Sequence, residues 1–244
     1  MTTTVDEDRY QLLDGLLADT RLDAAAARRP LRPAPAHLLT VSDQGPVIAL
    51  PDPAPPRAEL DDVLADRVAV RDYAPTPLTT AEVSAICAAA DLMDVEAWPR
   101  EQQAGLGLEL YLAAWRVDGV DTGLYRYLPE QRALRRVADL PSGAEAAELV
   151  MQEEFAEAAA LLLITGNLAG AIDRHGSHGH RLLLTRGGAA GHAAWLAALR
   201  LRLVGTVFAG LLPHVLRERA GADGYHRAPL LAFAAGRAAA DATA

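Results

Sequence analysis

From Ala160 to Thr165 the chain reads Ala-Leu-Leu-Leu-Ile-Thr, an uncharged, β-rich apolar run. Such a run is a strand at the centre of a sheet, covered on both faces, so the fold must be layered. Other segments supply its neighbours. The leucines from Leu106 to Leu112 alternate with Gly107, Glu109 and Tyr111, the period of two of a half-buried strand. Further strands are expected at Gly123–Tyr127 and Ala133–Val137, joined by a Pro129-Glu130-Gln131 turn, and at Val204–Phe208 and Pro229–Phe233.

Helix signals lie between these strands. A Leu-and-Asp segment begins a helix at Leu60 and runs into Leu64. Thr79 and Glu82 form a capping box that opens a helix with Val83, Ile86, Cys87 and Ala90 on one face. Ser142 and Glu145 repeat the pattern ahead of a helix expected to reach Ala158, and His175 to Leu203 reads as largely helical after a Gly/His loop. Alanines from Ala189 to Ala198 allow that helix to pack closely. A short helix is expected over Pro213–Arg219, with Pro at its start and Gly221 after its end. The first sixty residues differ: an Ala-rich helix, Arg9 to Arg28, precedes a proline-rich stretch from Pro30 to Pro56 that favours extended structure. The expected division is an N-terminal helix and Pro-rich arm over 1–59 and a main domain over 60–244.

Composition narrows the chemistry. The net charge of −9 argues against general affinity for nucleic acid or anionic lipid. No apolar run approaches the roughly 18–20 residues of a membrane span, and the polar start is unlike a signal peptide, so a cytoplasmic protein is expected. All 23 basic residues are Arg, which removes Schiff-base and phosphate-loop lysines and leaves phosphate recognition to guanidinium forks. Cys87 is the single cysteine; it reads as a buried side chain and rules out an internal disulfide. His175, His178 and His180 lack an established zinc spacing, so no metal is expected.

The segment Arg67-Val68-Ala69-Val70-Arg71-Asp72-Tyr73, then Pro77-Leu78-Thr79 and a helix, resembles the opening of the nitroreductase family. Glu109-Leu110-Tyr111-Leu112, Gly123-Leu124-Tyr125-Arg126-Tyr127 and Ala133-Leu134 resemble its subgroup of thiazoline and oxazoline dehydrogenases from streptolysin-type and microcin-type pathways. Gly188 to Thr206 is similar to the family's flavin-covering helix and glycine turn, and Leu230 to Arg237 to its closing strand. The resemblance spans about Leu60 to Arg237. It implies an α+β fold with a mostly antiparallel central sheet flanked by helices, an interlocked homodimer, and FMN held at the subunit interface. It also implies a peptide substrate, with a cyclodehydratase or carrier protein as partner.

Site residues follow from the same resemblance. Arg67 and Arg71, expected on a helix or turn, would grip the flavin phosphate with Arg237; the other reading is solvated charge beside Asp61, Asp62 and Asp66. Ala69 stands where the family has a serine, which removes one hydroxyl donor. Gln102 or Gln103 would meet the pyrimidine edge of the flavin, or form a polar loop. Gly205 and Thr206 would offer amides and a hydroxyl, or be an ordinary helix-to-strand turn. Arg174 and His175 stand where azoline dehydrogenases carry a Lys-Tyr pair; of the two only imidazole can act as a base near neutrality, and the other reading is an exposed loop histidine. Three functions remain open: an azoline dehydrogenase, a nicotinamide-dependent nitroreductase or quinone reductase, and a flavin-free structural or peptide-binding subunit.

Overall fold

The computed structural model describes residues 4–20, 45–53, 56–140, 149–211, 216–217 and 222–239. In chain order the helices and strands are α1 (Thr4–Asp19), β1 (Val47–Ala49), α2 (Leu60–Ala65), β2 (Tyr73–Ala74), α3 (Thr80–Ala97), α4 (Pro99–Gln103), β3 (Glu109–Ala114), β4 (Gly123–Leu128), β5 (Ala133–Ala138), β6 (Ala160–Gly166), α5 (Leu168–His175), α6 (His178–Arg200), β7 (Val204–Phe208) and β8 (Ala228–Ala238). The strands form one antiparallel sheet in the order β1-β5-β4-β3-β6-β8-β2, with β7 also paired to β8. The fold is α+β, with helices packed on a central antiparallel sheet.

The apolar run is β6, and all seven of its residues are buried between β3 and β8. Alternate side chains feed two cores. Leu110, Leu112, Ile164 and Phe233 face α3 and α6, whereas Tyr111, Leu161 and Leu163 face Phe155 and Leu149 on the other side. Full burial of each such leucine contributes about 1.5–3 kcal/mol.

Both covering helices owe their position to local sequence. The Thr79 side chain accepts from the Glu82 amide while Glu82 accepts from that of Thr79, which starts α3 as expected. Val83, Ile86, Cys87 and Ala90 are buried beneath it. On α6 most of the buried residues are Gly and Ala, with Leu183, Arg186 and Trp195 among them. A Cβ on Gly191 would already stand 3.3 Å from the Val207 methyls, so the helix lies close against the sheet. No helix among the described residues is long and apolar enough to cross a membrane.

Several expectations need correction. The N-terminal helix spans Thr4–Asp19 rather than beginning at Arg9, and its expected continuation to Arg28 lies outside the described residues. The sheet reaches into the proline-rich arm: β1 pairs with β5, Leu50 is buried, and Ser84 Oγ donates to the Pro51 carbonyl at 2.7 Å. Pro46 tolerates this place because β1 is an edge strand. Ser142 and Glu145 lie outside the described residues, but 149–158 is an isolated bridge and a 3-10 turn, Glu153–Glu157, rather than an α-helix. The Pro129–Gln131 turn is a 3-10 turn. Most of the helix expected over Pro213–Arg219 lies outside the described residues.

Asp91 on α3 is partly buried; that burial, with the nearby Asp94 and Glu130 carboxylates, pushes its carboxyl up to about 6. The folded value exceeds the unfolded one of about 3.9. The resulting stabilisation is complete below about pH 4 and is lost as pH rises through about 6. Asp91→Asn is therefore expected to raise the thermal midpoint relative to wild type above about pH 6, with the gain shrinking toward about pH 4. Parallel midpoint curves across that range would contradict it.

Candidate functional site

The Arg67-to-Tyr73 segment is extended rather than helical. Ala69 makes a parallel bridge to Gly205, and the Val70 N–H donates to the Gly205 carbonyl at 3.3 Å. Tyr73 then pairs with Ala238, and Ala74 with Arg237. The opening motif, β7 and the end of β8 thus meet at one corner, although nearly the whole domain separates them in sequence.

Within that corner the arginines diverge. Arg67 lies over the Trp195 ring, 5.1 Å from its centre, on the α6 side of the sheet. Arg71 lies 5.7 Å over Phe155, which stacks on Phe208 against the opposite face, and reaches Glu154 at 3.4 Å. In extended chain, four residues separate the two Cα atoms by about 13 Å, so the expected shared helical turn is absent. Arg237 donates to Glu82, the capping carboxylate of α3, at 2.8 and 3.1 Å. Arg67 alone of the three has no carboxylate partner among the described residues.

Gly205 and Thr206 are not a turn but lie inside β7, paired with Ala235 and Ala234. A Cβ on Gly205 would meet the Ala234 carbonyl oxygen at 1.8 Å, so the glycine is required by strand packing. Thr206 is buried, its hydroxyl 3.4 Å from the Val207 carbonyl.

Trp195 lies on the buried side of α6. It is 8% exposed, and its indole Nε1 is buried with no hydrogen-bond partner. A buried donor left unsatisfied costs about 1–3 kcal/mol. The Arg67 guanidinium, without a carboxylate partner among the described residues, lies over the face of the same ring. Such a corner fits an anion such as the phosphate of a mononucleotide.

The other candidates gather at the opposite end of α6. His175 and Arg174 occupy the last turn of α5 rather than a loop. Both contact Glu101 of α4: His175 Nε2 lies 3.1 Å from Oε2, and Arg174 Nε 3.3 Å from Oε1. Gln102 donates to Asp94 Oδ2 at 2.8 Å, so its amide nitrogen is committed within the chain, while Gln103 is exposed. Asp94 also accepts two bonds from Arg186, each 2.8 Å, and one from the Leu108 amide; Arg186 donates in turn to the Leu106 carbonyl. The Asp94–Arg186 pair was not legible in the sequence, because 92 residues separate the partners and neither lies in a motif. From the start of α6 to Trp195 is about 25 Å of helix axis. Burial pushes the Cys87 thiol up to about 12, which makes it unreactive.

No family model matches the chain. A protein of Methanocaldococcus jannaschii described as a nitroreductase is 34% identical over 156 residues, covering 62% of this chain and 78% of the archaeal one. The chain belongs to the nitroreductase family. Among solved structures, a protein from Anabaena variabilis described as a nitroreductase is similar with a TM-score of 0.68 at 23% identity over 80% of this chain, which spans only 42% of that protein. The E. coli microcin synthetase McbBCD complex, solved with truncated pro-MccB17 bound, contains a chain similar with a TM-score of 0.57 at 18% identity, covering 97% of this chain and 95% of that one. A protein from Exiguobacterium sibiricum described as a nitroreductase, solved in complex with FMN, has a TM-score of 0.52 at 13% identity over 77% and 91% of the two chains. These three likenesses establish the fold.

Removing one member of a buried ion pair strands the other. Asp94→Ala is expected to cost about 3–5 kcal/mol in denaturant unfolding; a loss under about 1 kcal/mol, the level of an exposed pair, would contradict the burial seen here. Trp195→Phe removes the indole N–H but keeps the ring. It is expected to leave the unfolding midpoint nearly unchanged while weakening FMN binding in a fluorescence-quenching titration, and unaltered affinity would count against the anion corner.

Proposed function

We propose that this chain is an FMN-dependent oxidoreductase that dehydrogenates a peptide-derived substrate, oxidising azoline to azole during natural-product assembly. The observation that carries this reading is the Arg67–Trp195 corner, where an unpaired guanidinium and an orphaned indole N–H adjoin the Ala69–Gly205 bridge. Family membership supports a flavin as the anion, as does the FMN complex of the Exiguobacterium protein. FMN bound there supplies the acceptor for a hydride. The protein's part is to hold its phosphate through Arg67 and Trp195, and to take up the proton that the substrate loses, at His175. Arg174 keeps its charge throughout and serves to balance Glu101. Arg71 and Arg237 join the phosphate only by leaving Glu154 and Glu82; Gln102 and Gln103 offer their carbonyl oxygens to the flavin ring.

The site is completed by a second copy. The phosphate corner and His175 lie toward opposite ends of α6, about 25 Å apart along the helix axis, so we infer that the two halves of one chain serve different flavins. Antiparallel packing of two copies through the open face of α3 and α6 brings unlike ends together. That face suits it: Leu92, Met93 and Leu184 are exposed, and a cavity of about 550 Å³ lies between α2, α3 and α6, lined by Leu60, Ala189, His192 and Leu196 among others. A peptide substrate and a cyclodehydratase or carrier partner are supported by the microcin synthetase complex, which was solved with truncated pro-MccB17 bound. A second reading, a nitroreductase using a nicotinamide donor, is favoured by the description of the archaeal relative.

The purified protein is expected to be yellow, with flavin absorbance, and Arg67→Ala to weaken FMN binding about 10- to 100-fold, the range for a charge-assisted hydrogen bond. Oxygen uptake with a thiazoline-containing peptide, but not nicotinamide-driven reduction of a nitroarene, is the expected activity. His175→Gln should lower it by about 10²–10⁴-fold. A colourless protein that binds no added FMN would overturn the reading, and nitroarene turnover without azoline oxidation would replace it with the second.

A further inference from the structure

The short helix α4 carries a buried carboxylate. The Glu101 side chain is 6% exposed, and its two oxygens are divided between the last two residues of α5. Oε1 takes Arg174, which also donates to the Arg100 carbonyl at 3.4 Å. Oε2 takes Nε2 of His175. A carboxylate can only accept, so the nitrogen that faces it must carry the proton. In a neutral imidazole the other nitrogen is then the acceptor, and among the described residues His175 Nδ1 has no partner.

We propose that Glu101 is the positioning residue of the site, holding His175 as the Nε2–H tautomer with Nδ1 free to accept a proton from the ligand. This rests on the dehydrogenase reading given above. The ligand class it suits is one that gives up a proton from a carbon or nitrogen next to the departing hydride: the C–H or N–H bond breaks, its electron pair stays with the substrate, and the proton goes to Nδ1.

Two features make Glu101 able to do this. Its charge is balanced by Arg174, which cannot exchange a proton, so the carboxylate remains an acceptor while His175 cycles. Its backbone is fixed, because the next residue, Gln102, is tied to Asp94 and Asp94 to Arg186. An orienting group held by its own second layer of bonds keeps a base within the narrow geometry that catalysis needs.

The test is the tautomer of His175, read by ring-nitrogen NMR on histidine-labelled full-length protein about two pH units above the ordinary imidazole value, with His175→Gln identifying the resonance. Wild type is expected to show a protonated Nε2 and a bare Nδ1. Glu101→Gln, whose amide can donate to Nε2, is expected to invert or average that signature, while Arg174→Gln keeps it. If Glu101→Gln does not fold, Glu101→Asp, one methylene shorter, gives a partial loss. An Nδ1–H tautomer in wild type, or an unchanged signature in the folded Glu101 variant, overturns the proposal. With a thiazoline-containing peptide, Glu101→Gln should lower kcat at least 100-fold, on the order of a general base misplaced, with KM nearly unchanged. Should the tautomer respond while no variant or wild type oxidises the peptide, the assignment of Glu101 stands and the substrate reading fails.

Discussion

One buried ion pair sets the geometry of the domain. Asp94 on α3 and Arg186 on α6 are almost wholly excluded from solvent, and their remaining hydrogen bonds go to Gln102, the Leu106 carbonyl and the Leu108 amide. Taking two charges out of water is costly, and the pair is tolerable because its donors and acceptors are matched. What it provides is placement. A single constellation fixes two long helices, the short α4 turn and the entry to β3, so Glu101 and the end of α5 are held with it.

On the reading proposed above, two half-sites rather than one are arranged around that anchor. The phosphate corner depends on strand pairing: the opening motif leans on Gly205, and Gly205 packs so closely on Ala234 that no side chain can replace its hydrogen. The acid–base corner depends on the ion pair. About 25 Å of the α6 axis, at 1.5 Å per residue, runs between them. In the proposed two-fold dimer, surfaces meet in antiparallel fashion, and that separation is what a shared site would bridge.

Local signals were legible and long-range ones were not. The β6 run, the Thr79–Glu82 capping box and the positions of β3 to β5 were visible because each is a property of neighbours along the chain, although β3 is buried on both faces rather than half-buried. Edges of elements drifted by a few residues, as they do where only hydrogen bonding ends them. Missed features were those made by distant partners. Extended rather than helical backbone at Arg67 follows from the bridge to Gly205, and the engagement of Arg237 follows from Glu82 being turned toward it; neither leaves a trace in local composition. Nothing in the neighbouring sequence marks Glu101 or Asp94. The unpaired N–H of Trp195 is a fact of packing alone.

The central claim, that two chains jointly build each site, is tested most directly by complementation between inactive dimers. Arg67→Ala and His175→Gln proteins, assayed at FMN too dilute to load Arg67→Ala so that each is inactive alone, are unfolded together and reassembled. If the site is shared, every mixed dimer has one site with both residues intact, and random pairing restores about a quarter of wild-type peptide oxidation. If Arg67 and His175 of the same chain serve one flavin, both sites of a mixed dimer are damaged, the mixture stays as inactive as its parents, and the account is wrong.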